Sequence, residues 1–377
     1  MTTVPSRRIG GPPDPDGHSE WLVHGSTKKK ILNTPGYPQP VPKPPGNVKS
    51  HVVKSTPTMG KGVFATRNIP MGDIIFTERP LLVCPRALIP ATDMDLSAYT
   101  REDYTKIVMF EREQQLEAAV GRMDPDTKAR LMALMNSHLE DGSGPINGIV
   151  RTNGYAVDNF WDGDVQPDEN NPAYHYYFYC VVCDVGSRIN HRSVFLFFFS
   201  TGEYSFNSFS SCLPNVTHAF KLSAFAMVFM ASRDIKAGEQ LFYSYCSNDQ
   251  SASNRKAELA PYGIAQCICS SCVNATPETD TIRKTYSARL AEYKLQSLTW
   301  ERVGKVPPGT IDELLRYQRA VVKEGFDAEA DYWAYFVPVL MTAYRRSGKT
   351  HEFTRLLQKL KRRGDFMVAK EAIEKSG

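Results

Sequence analysis

Long apolar runs are missing from this 377-residue chain. The longest wholly apolar stretches, Tyr176–Cys183 and Ala224–Ala231, have eight residues each. A bilayer-spanning helix needs ~20, so no transmembrane helix and no membrane partner are expected. The first residues, MTTVPSRRIGGPPDPDG, have no apolar core, and a secretory signal is not expected either. Cysteine is scarce and unevenly placed, with eight residues in all. Without an export signal those thiols do not suggest a disulfide framework. They suggest an intracellular protein of the nucleus, the cytoplasm or both. Charge of one sign is also lacking: 45 Lys and Arg against 41 Asp and Glu leave only +4, too little to argue for nucleic acid. The tail Met341–Gly377 is more basic, but it carries no binding motif and no interleaved aromatics. It reads as a solvated helical face, and direct nucleic-acid binding is not expected.

What remains is an ordinary globular composition, 42% apolar and 23% charged, which argues against global disorder, collagen and coiled coil. The length allows two or three domains. Residues 1–50 hold ten of the 25 prolines and read as a disordered leader ending in a polyproline-like stretch, Pro35 to Pro45. From 51 to 85 the runs HVVKS, GVFAT, DIIFTE and PLLVCP alternate with turn residues, a meander of short strands. Residues 97–139 read as helices, with Asp124 capping a segment that has Pro125 in its first turn, and Gly142–Gly144 closes that stretch. Residues 145–246 return to strand-like runs. From 278 onward the pattern is helical, including a capping box at Thr310–Glu313. The whole is expected to be α+β, a β core followed by a helical lobe.

Three short motifs carry chemistry. In Cys267-Ile-Cys269-Ser-Ser-Cys272, three thiols within six residues suit tetrahedral zinc, with a fourth ligand from elsewhere. Cys180-Val-Val-Cys183 lies in an apolar run and reads as core. Met59-Gly60-Lys61-Gly62-Val63-Phe64-Ala65 has two glycines that let backbone approach a ligand, although a lone G-x-G is more often a turn. Gly238-Glu-Gln-Leu-Phe-Tyr243-Ser-Tyr245 follows a strand, and its two tyrosines should share one strand face. They could be core residues with satisfied hydroxyls or the lining of a pocket.

In this order the motifs resemble those of the SET-domain protein lysine methyltransferases: an opening G-x-G-x-[FY]-A, a closing G-E-x-L-x-x-x-Y and a post-SET C-x-C-x-x-C. The family also carries N-H-S-C-x-P-N. Here that motif is split into Arg188-Ile-Asn190-His191 and Ser211-Cys212-Leu213-Pro214-Asn215, separated by the 19 residues Arg192–Ser210. That insertion holds six of the 19 phenylalanines, and its Phe and Ser codons are pyrimidine-rich. A surface loop bearing VFLFFF would be an aggregation hazard. The segment therefore reads as a retained intron translated in frame. Within the family the arrangement is similar to the SMYD group, with one departure: residues 85–150 contain no cysteine, so the MYND zinc module is missing.

The resemblance implies a SET domain over 51–246 with a helical insert at about 85–150, a post-SET zinc segment over 247–277 and a helical lobe over 278–377. It implies S-adenosylmethionine (SAM) bound along Gly60, Lys61 and Gly62, with Asn190, His191 and Ile264 around it. Zinc would be held by Cys212, Cys267, Cys269 and Cys272. Tyr245 would orient the reacting amine and Tyr243 would line the lysine channel. The partner would be a protein substrate, histone or non-histone, bearing a lysine. Two other readings stay open: a catalytically degenerate scaffold or reader, favoured by the split motif, and a zinc-dependent nucleic-acid binder.

Overall fold

The computed structural model describes residues 1–7, 12–23, 25–57, 59–86, 99–157, 178–190, 212, 214–329 and 331–375, with the backbone alone at residues 26 and 364–375. The leader supplies strands β1 (Thr2–Val4) and β2 (Ser19–Trp21) and helix α1 (Gly25–Leu32). The meander that follows contains β3 (His51–Ser55), β4 (Lys61–Ala65), β5 (Ile74–Glu78) and β6 (Leu82–Pro85). These match the four β-branched and aromatic runs in the sequence. Next come α2 (Arg101–Val120), α3 (Pro125–Met132) and α4 (Pro145–Asn153). The strands β7 (Tyr155–Val157), β8 (Tyr179–Val182), β9 (Val216–Lys221) and β10 (Ala226–Ala231) follow.

Three sheets result: β1-β2-β6-β8-β7, β5-β10-β9 and the hairpin β3-β4. Their inner faces share one apolar core that includes Trp21, Val63, Phe76, Val181, Ile189, Phe225 and Phe229. Helices α2–α4 bury Leu116, Val120, Leu131 and Ile149 against Leu82 and Val182. Asp124 caps α3 as expected, its Oδ1 accepting from Thr127 N–H at 2.8 Å. Helix α4 begins just beyond Gly144, in a stretch whose composition had suggested strand; Pro145 at its first turn starts it.

The leader is not the disordered segment its prolines suggested. Prolines do keep helix and strand out of residues 35–44. Both flanks are nevertheless anchored. Trp21 is fully buried, its ring 5.0 Å from that of Phe225. Buried Arg79 pairs with Asp14 and donates to the carbonyls of Gly17 (2.9 Å), Gln39 (3.3 Å) and Ala224 (3.2 Å). Proline content reports local freedom, whereas this order comes from partners distant in sequence.

After the β core, α5 (Ala252–Leu259) precedes the cysteine motif, and α6 (Ser270–Val273) contains its last member, Cys272. The lobe is α7 (Pro277–Val303), α8 (Thr310–Lys323), α9 (Val337–Arg346) and α10 (Thr350–Lys375). The expected capping box at α8 does not form. Gly309 stands at the N-cap with φ +80°, and Glu313 accepts instead from Arg289 (2.9 Å) and Tyr293 (3.0 Å). Helix α10 returns to the β core, where Arg363 donates to Ser232 O at 3.1 Å. The architecture is α+β.

Candidate functional site

Two chain segments meet at the site, 184–190 and 240–245. The first is fixed from below by Glu78, at the end of β5. Its carboxylate accepts from the N–H groups of Asp184 (3.2 Å), Val185 (3.1 Å) and Gly186 (2.5 Å). Desolvation still pushes the Glu78 carboxyl up to about 7, against the opposing pull of those N–H groups. Gly186 is required here, because a Cβ would lie 2.3 Å from the Phe229 ring. The turn delivers Ile189 and Asn190. Asn190 bridges Phe242, and Asn190 O accepts from Tyr243 N–H at 3.3 Å.

Asn190 also reaches the glycine motif, its Nδ2 donating to Lys61 O at 3.0 Å. Gly60 adopts φ +64° at the hairpin turn between β3 and β4. At Gly62 a Cβ would meet Gln240 Nε2 at 2.5 Å and Asn190 Nδ2 at 3.2 Å. Among the described residues Gln240 Nε2 is buried without a partner. Lys61, Asn190 and Gln240 thus present a carbonyl and amide groups around a glycine that must stay bare. An orphaned buried donor beside such a cradle fits a polar ligand.

Asn215, fully buried, locks the second segment. Its Oδ1 accepts from Phe242 N–H (2.7 Å), and its Nδ2 donates to Gln240 O (2.9 Å) and Glu239 Oε1 (3.1 Å). Tyr243 and Tyr245 follow, on irregular backbone rather than the expected strand. Their rings remain neighbours, with centroids 6.5 Å apart. Tyr245 Oη donates to Ile189 O at 2.9 Å. Tyr262 lies 5.0 Å from the Tyr245 ring and Tyr155 5.6 Å from that of Tyr243. These four tyrosines line a cavity of about 220 Å³ whose wall also includes Arg86, Asn153 and Cys180. Burial raises the hydroxyl pKa of Tyr155, Tyr243 and Tyr262, so they are protonated donors at neutral pH.

On the far side of Tyr245 the four predicted cysteines converge. The Sγ atoms of Cys212, Cys267, Cys269 and Cys272 all lie within 4.8 Å of one another. Cys212 Sγ is 4.0 Å from that of Cys267 and 3.6 Å from that of Cys272. A tetrahedron with ~2.3 Å metal–sulfur bonds has edges of about 3.8 Å, so the donor set fits zinc. Arg255, fully buried, donates to Cys272 Sγ at 3.3 Å, a cation that would offset thiolate charge. Hydrogen bonding, first from Cys212, lowers the Cys272 thiol below its ordinary value.

Ile264 is buried in this cysteine cluster with Leu259, while the glycine cradle is lined by Thr56, Asn190 and Gln240. His191 and the insertion Arg192–Ser210 lie outside the described residues. Cys183 is core, as expected, but Cys180 is only half-buried and reaches the tyrosine cavity. Sequence reasoning assigned no role to Glu78, Tyr155, Asn215 or Tyr262. Asn215 stood in a quoted motif; the others had no local signal.

Residues 60–246 match the SET domain family. Histone-lysine N-methyltransferase set5 of Schizosaccharomyces pombe is 23% identical over 280 residues, 74% of this chain and 67% of that protein. The crystal structure of the SET domain of LSMT bound to lysine and AdoHcy matches over 86% of this chain and 80% of its own. Its identity is 14% and its TM-score 0.25, too low to carry a structural argument.

Proposed function

We propose that this chain is a SAM-dependent protein lysine N-methyltransferase. The observation that carries the reading is the tyrosine cavity, with Tyr245 Oη fixed on Ile189 O beside Tyr243 and Tyr155. The relative from Schizosaccharomyces pombe, by its name a histone-lysine methyltransferase, supports a protein lysine as the acceptor. SAM supplies an electrophilic methyl group on a sulfonium. The cradle of Gly60, Lys61, Gly62, Asn190 and Gln240 would hold it, with His191 and Ile264 proposed around it from the resemblance.

The residues of the cavity act on the amine. Free lysine titrates near ~10.4, and attack requires the neutral form. Withdrawal from water in this cavity disfavours the ammonium, and the positive Arg86 in the wall disfavours it further. Tyr245 orients the nitrogen and Tyr243 limits the space around it. Most of the acceleration then comes from alignment rather than acid–base chemistry. Zinc on Cys212, Cys267, Cys269 and Cys272 would join the split motif to the post-SET segment and so keep Tyr245 in place.

The chain is SMYD-like without a MYND module. Its compartment is the nucleus, the cytoplasm or both. Arg192–Ser210 is translated intron, and a spliced message containing those codons would sink that idea. Methyl transfer is tested with radiolabelled SAM and the insert-deleted protein against a cell extract. Labelled protein bands are expected; their absence with SAM bound would leave a scaffold.

A further inference from the structure

Antiparallel strands β6 and β8 set two thiols directly opposite each other, Cys84 and Cys180. Arg86 N–H donates to Phe178 O at 2.8 Å, and by the period-two alternation of such a ladder the cysteines also form a hydrogen-bonded pair. Cα atoms in a pair of this kind stand ~5.5 Å apart, within the ~4.4–6.8 Å that a disulfide spans. Both side chains lie on the sheet face covered by α2 and α4. Cys84 is buried and Cys180 half-buried. Because β8 is paired on both edges, by β6 and β7, the surface that Cys180 leaves open is side chain, at the wall of the tyrosine cavity. Beside Cys84 sits Arg112 of α2, buried and without a carboxylate partner among the described residues. Its Nη2 donates to Cys84 Sγ at 3.6 Å and its Nη1 to Arg86 O at 3.4 Å. A buried guanidinium without a counter-charge is costly, and a thiolate on Cys84 is the anion within reach. Hydrogen bonding from Cys180, and then the charge of Arg112, hold the Cys84 thiol below its ordinary value against desolvation. Cys180 keeps its proton and donates to Val150 O at 3.8 Å. Nothing in methyl transfer uses this pair.

We propose that Cys84 and Cys180 close into a reversible disulfide that staples β6 to β8 and redraws the wall of the tyrosine cavity, a peroxide-sensitive switch beside the acceptor site. The oxidant is hydrogen peroxide, small enough to enter the cavity. Cys180 Sγ attacks one peroxide oxygen and the O–O bond breaks; the departing hydroxide takes the thiol proton and leaves as water. Cys180 is then a sulfenic acid. The Cys84 thiolate attacks its sulfur, the S–S bond forms, and the S–O bond breaks to release hydroxide, which a solvent proton converts to water. Two electrons pass from the two sulfurs to the peroxide. Arg112 favours the reduced pair, and opposed strand residues hold their Cβ atoms ~4.5–5.5 Å apart, wider than the ~3.8 Å of a relaxed bridge. The bond is therefore strained and readily reduced by glutathione or a dithiol. Closing it draws Cys180 Sγ away from Val150 O and from Gly154, where that sulfur fills the place a Cβ would take. Gly154 adjoins Tyr155, and both line the cavity. The disulfide goes beyond the methyltransferase reading; only its effect on transfer rests on it.

The test treats the full chain, purified with zinc present, with stoichiometric hydrogen peroxide. The protein is then alkylated with iodoacetamide in denaturant and digested without reductant. Mass spectrometry should show the tryptic peptide of Cys84 joined to that of Cys180, with Cys183 alkylated, and dithiothreitol should part them. Arg112→Met should slow the joining about tenfold, because the attacking thiolate loses its cation. A Cys180 sulfenic acid trapped by dimedone while Cys84 stays alkylated overturns the disulfide. So does a Cys180–Cys183 bridge, or a Cys180 that resists excess peroxide. Transfer from labelled SAM is read on the same samples. Oxidised wild-type protein should lose most of its transfer and regain it with dithiothreitol, while Cys84→Ser should transfer alike before and after peroxide. A joined chain with undiminished transfer overturns the switch, and an equal loss in Cys84→Ser assigns the loss to the cysteine cluster and overturns it too. No transfer in either state condemns the methyltransferase reading, and the disulfide still stands or falls on the joined peptides.

Discussion

Two carboxylates, a partly buried one in the β core and a buried one in the helical lobe, are held in opposite ways. Glu324 of the lobe meets the buried Arg283, whose Nε is 2.9 Å from Glu324 Oε2 and whose Nη2 donates to Glu324 O at 2.9 Å. Charge faces charge, and the pair joins α7 to the end of α8. Glu78 of the β core makes no ion pair among the described residues and relies on three backbone N–H groups. The lobe uses its buried charge to hold helices together. The β core uses a costlier arrangement to hold a turn, and that turn carries Ile189 and Asn190 to the site. The cysteine cluster is a third case, in which the proposed zinc would offset the charge of four gathered thiolates.

This contrast predicts that lobe and cluster variants lose stability while β-core variants lose function or pH behaviour. The largest effect is expected from Cys267→Ser. It should abolish bound zinc by elemental analysis and cost several kcal/mol of stability, since structural zinc contributes directly to folding. A variant that keeps one zinc per chain would break the assignment. Arg283→Met should follow, because it strands Glu324 without a counter-charge; a cost of about 3–5 kcal/mol is expected by denaturant unfolding. A loss under 1 kcal/mol would mean that the pair is incidental.

Tyr245→Phe should leave the melting temperature unchanged and lower kcat by about 10²–10³-fold, the scale of removing one positioned donor at a reacting centre. Unchanged kcat in a folded variant would remove Tyr245 from the mechanism. The smallest effect belongs to Glu78→Gln. A carboxyl raised from the ordinary 4.5 to about 7 keeps its proton when folded and releases it when unfolded across that window. Its contribution is therefore present at acidic pH and is lost as pH rises through about 7. Melting profiles should flatten between pH 4.5 and 7 in the variant; an unaltered slope would show that Glu78 is not the group responsible.

The four strands from His51 to Pro85 were legible because each is a compact β-branched or aromatic run between turn residues. The cysteine cluster was legible in part: three thiols share one turn, while Cys212 came only from the resemblance. Tyr243 and Tyr245 were singled out in the sequence and their rings do lie together, although Asn215 and Asn190 rather than a strand set their backbone. Glu78, Tyr155 and Tyr262 were missed because they come from a strand end, a three-residue strand and a short turn, none with a local pattern. The leader misled for a related reason. Its anchors are a distant arginine, Arg79, and two aromatic rings, Tyr179 and Phe225.

That leader sets an order on synthesis. Trp21 leaves the ribosome early, but its ring partners Tyr179 and Phe225 emerge more than 150 residues later. Until then the nascent chain carries an indole and a short unpaired edge, exposed to chaperones or to neighbouring chains. β2 can pair with β6 once Leu82–Pro85 appears, yet the shared core closes only after β10. Residues made well before their partners are thus among the last to be buried, and removing Thr2–Trp21 should be felt during biogenesis as well as in the finished protein.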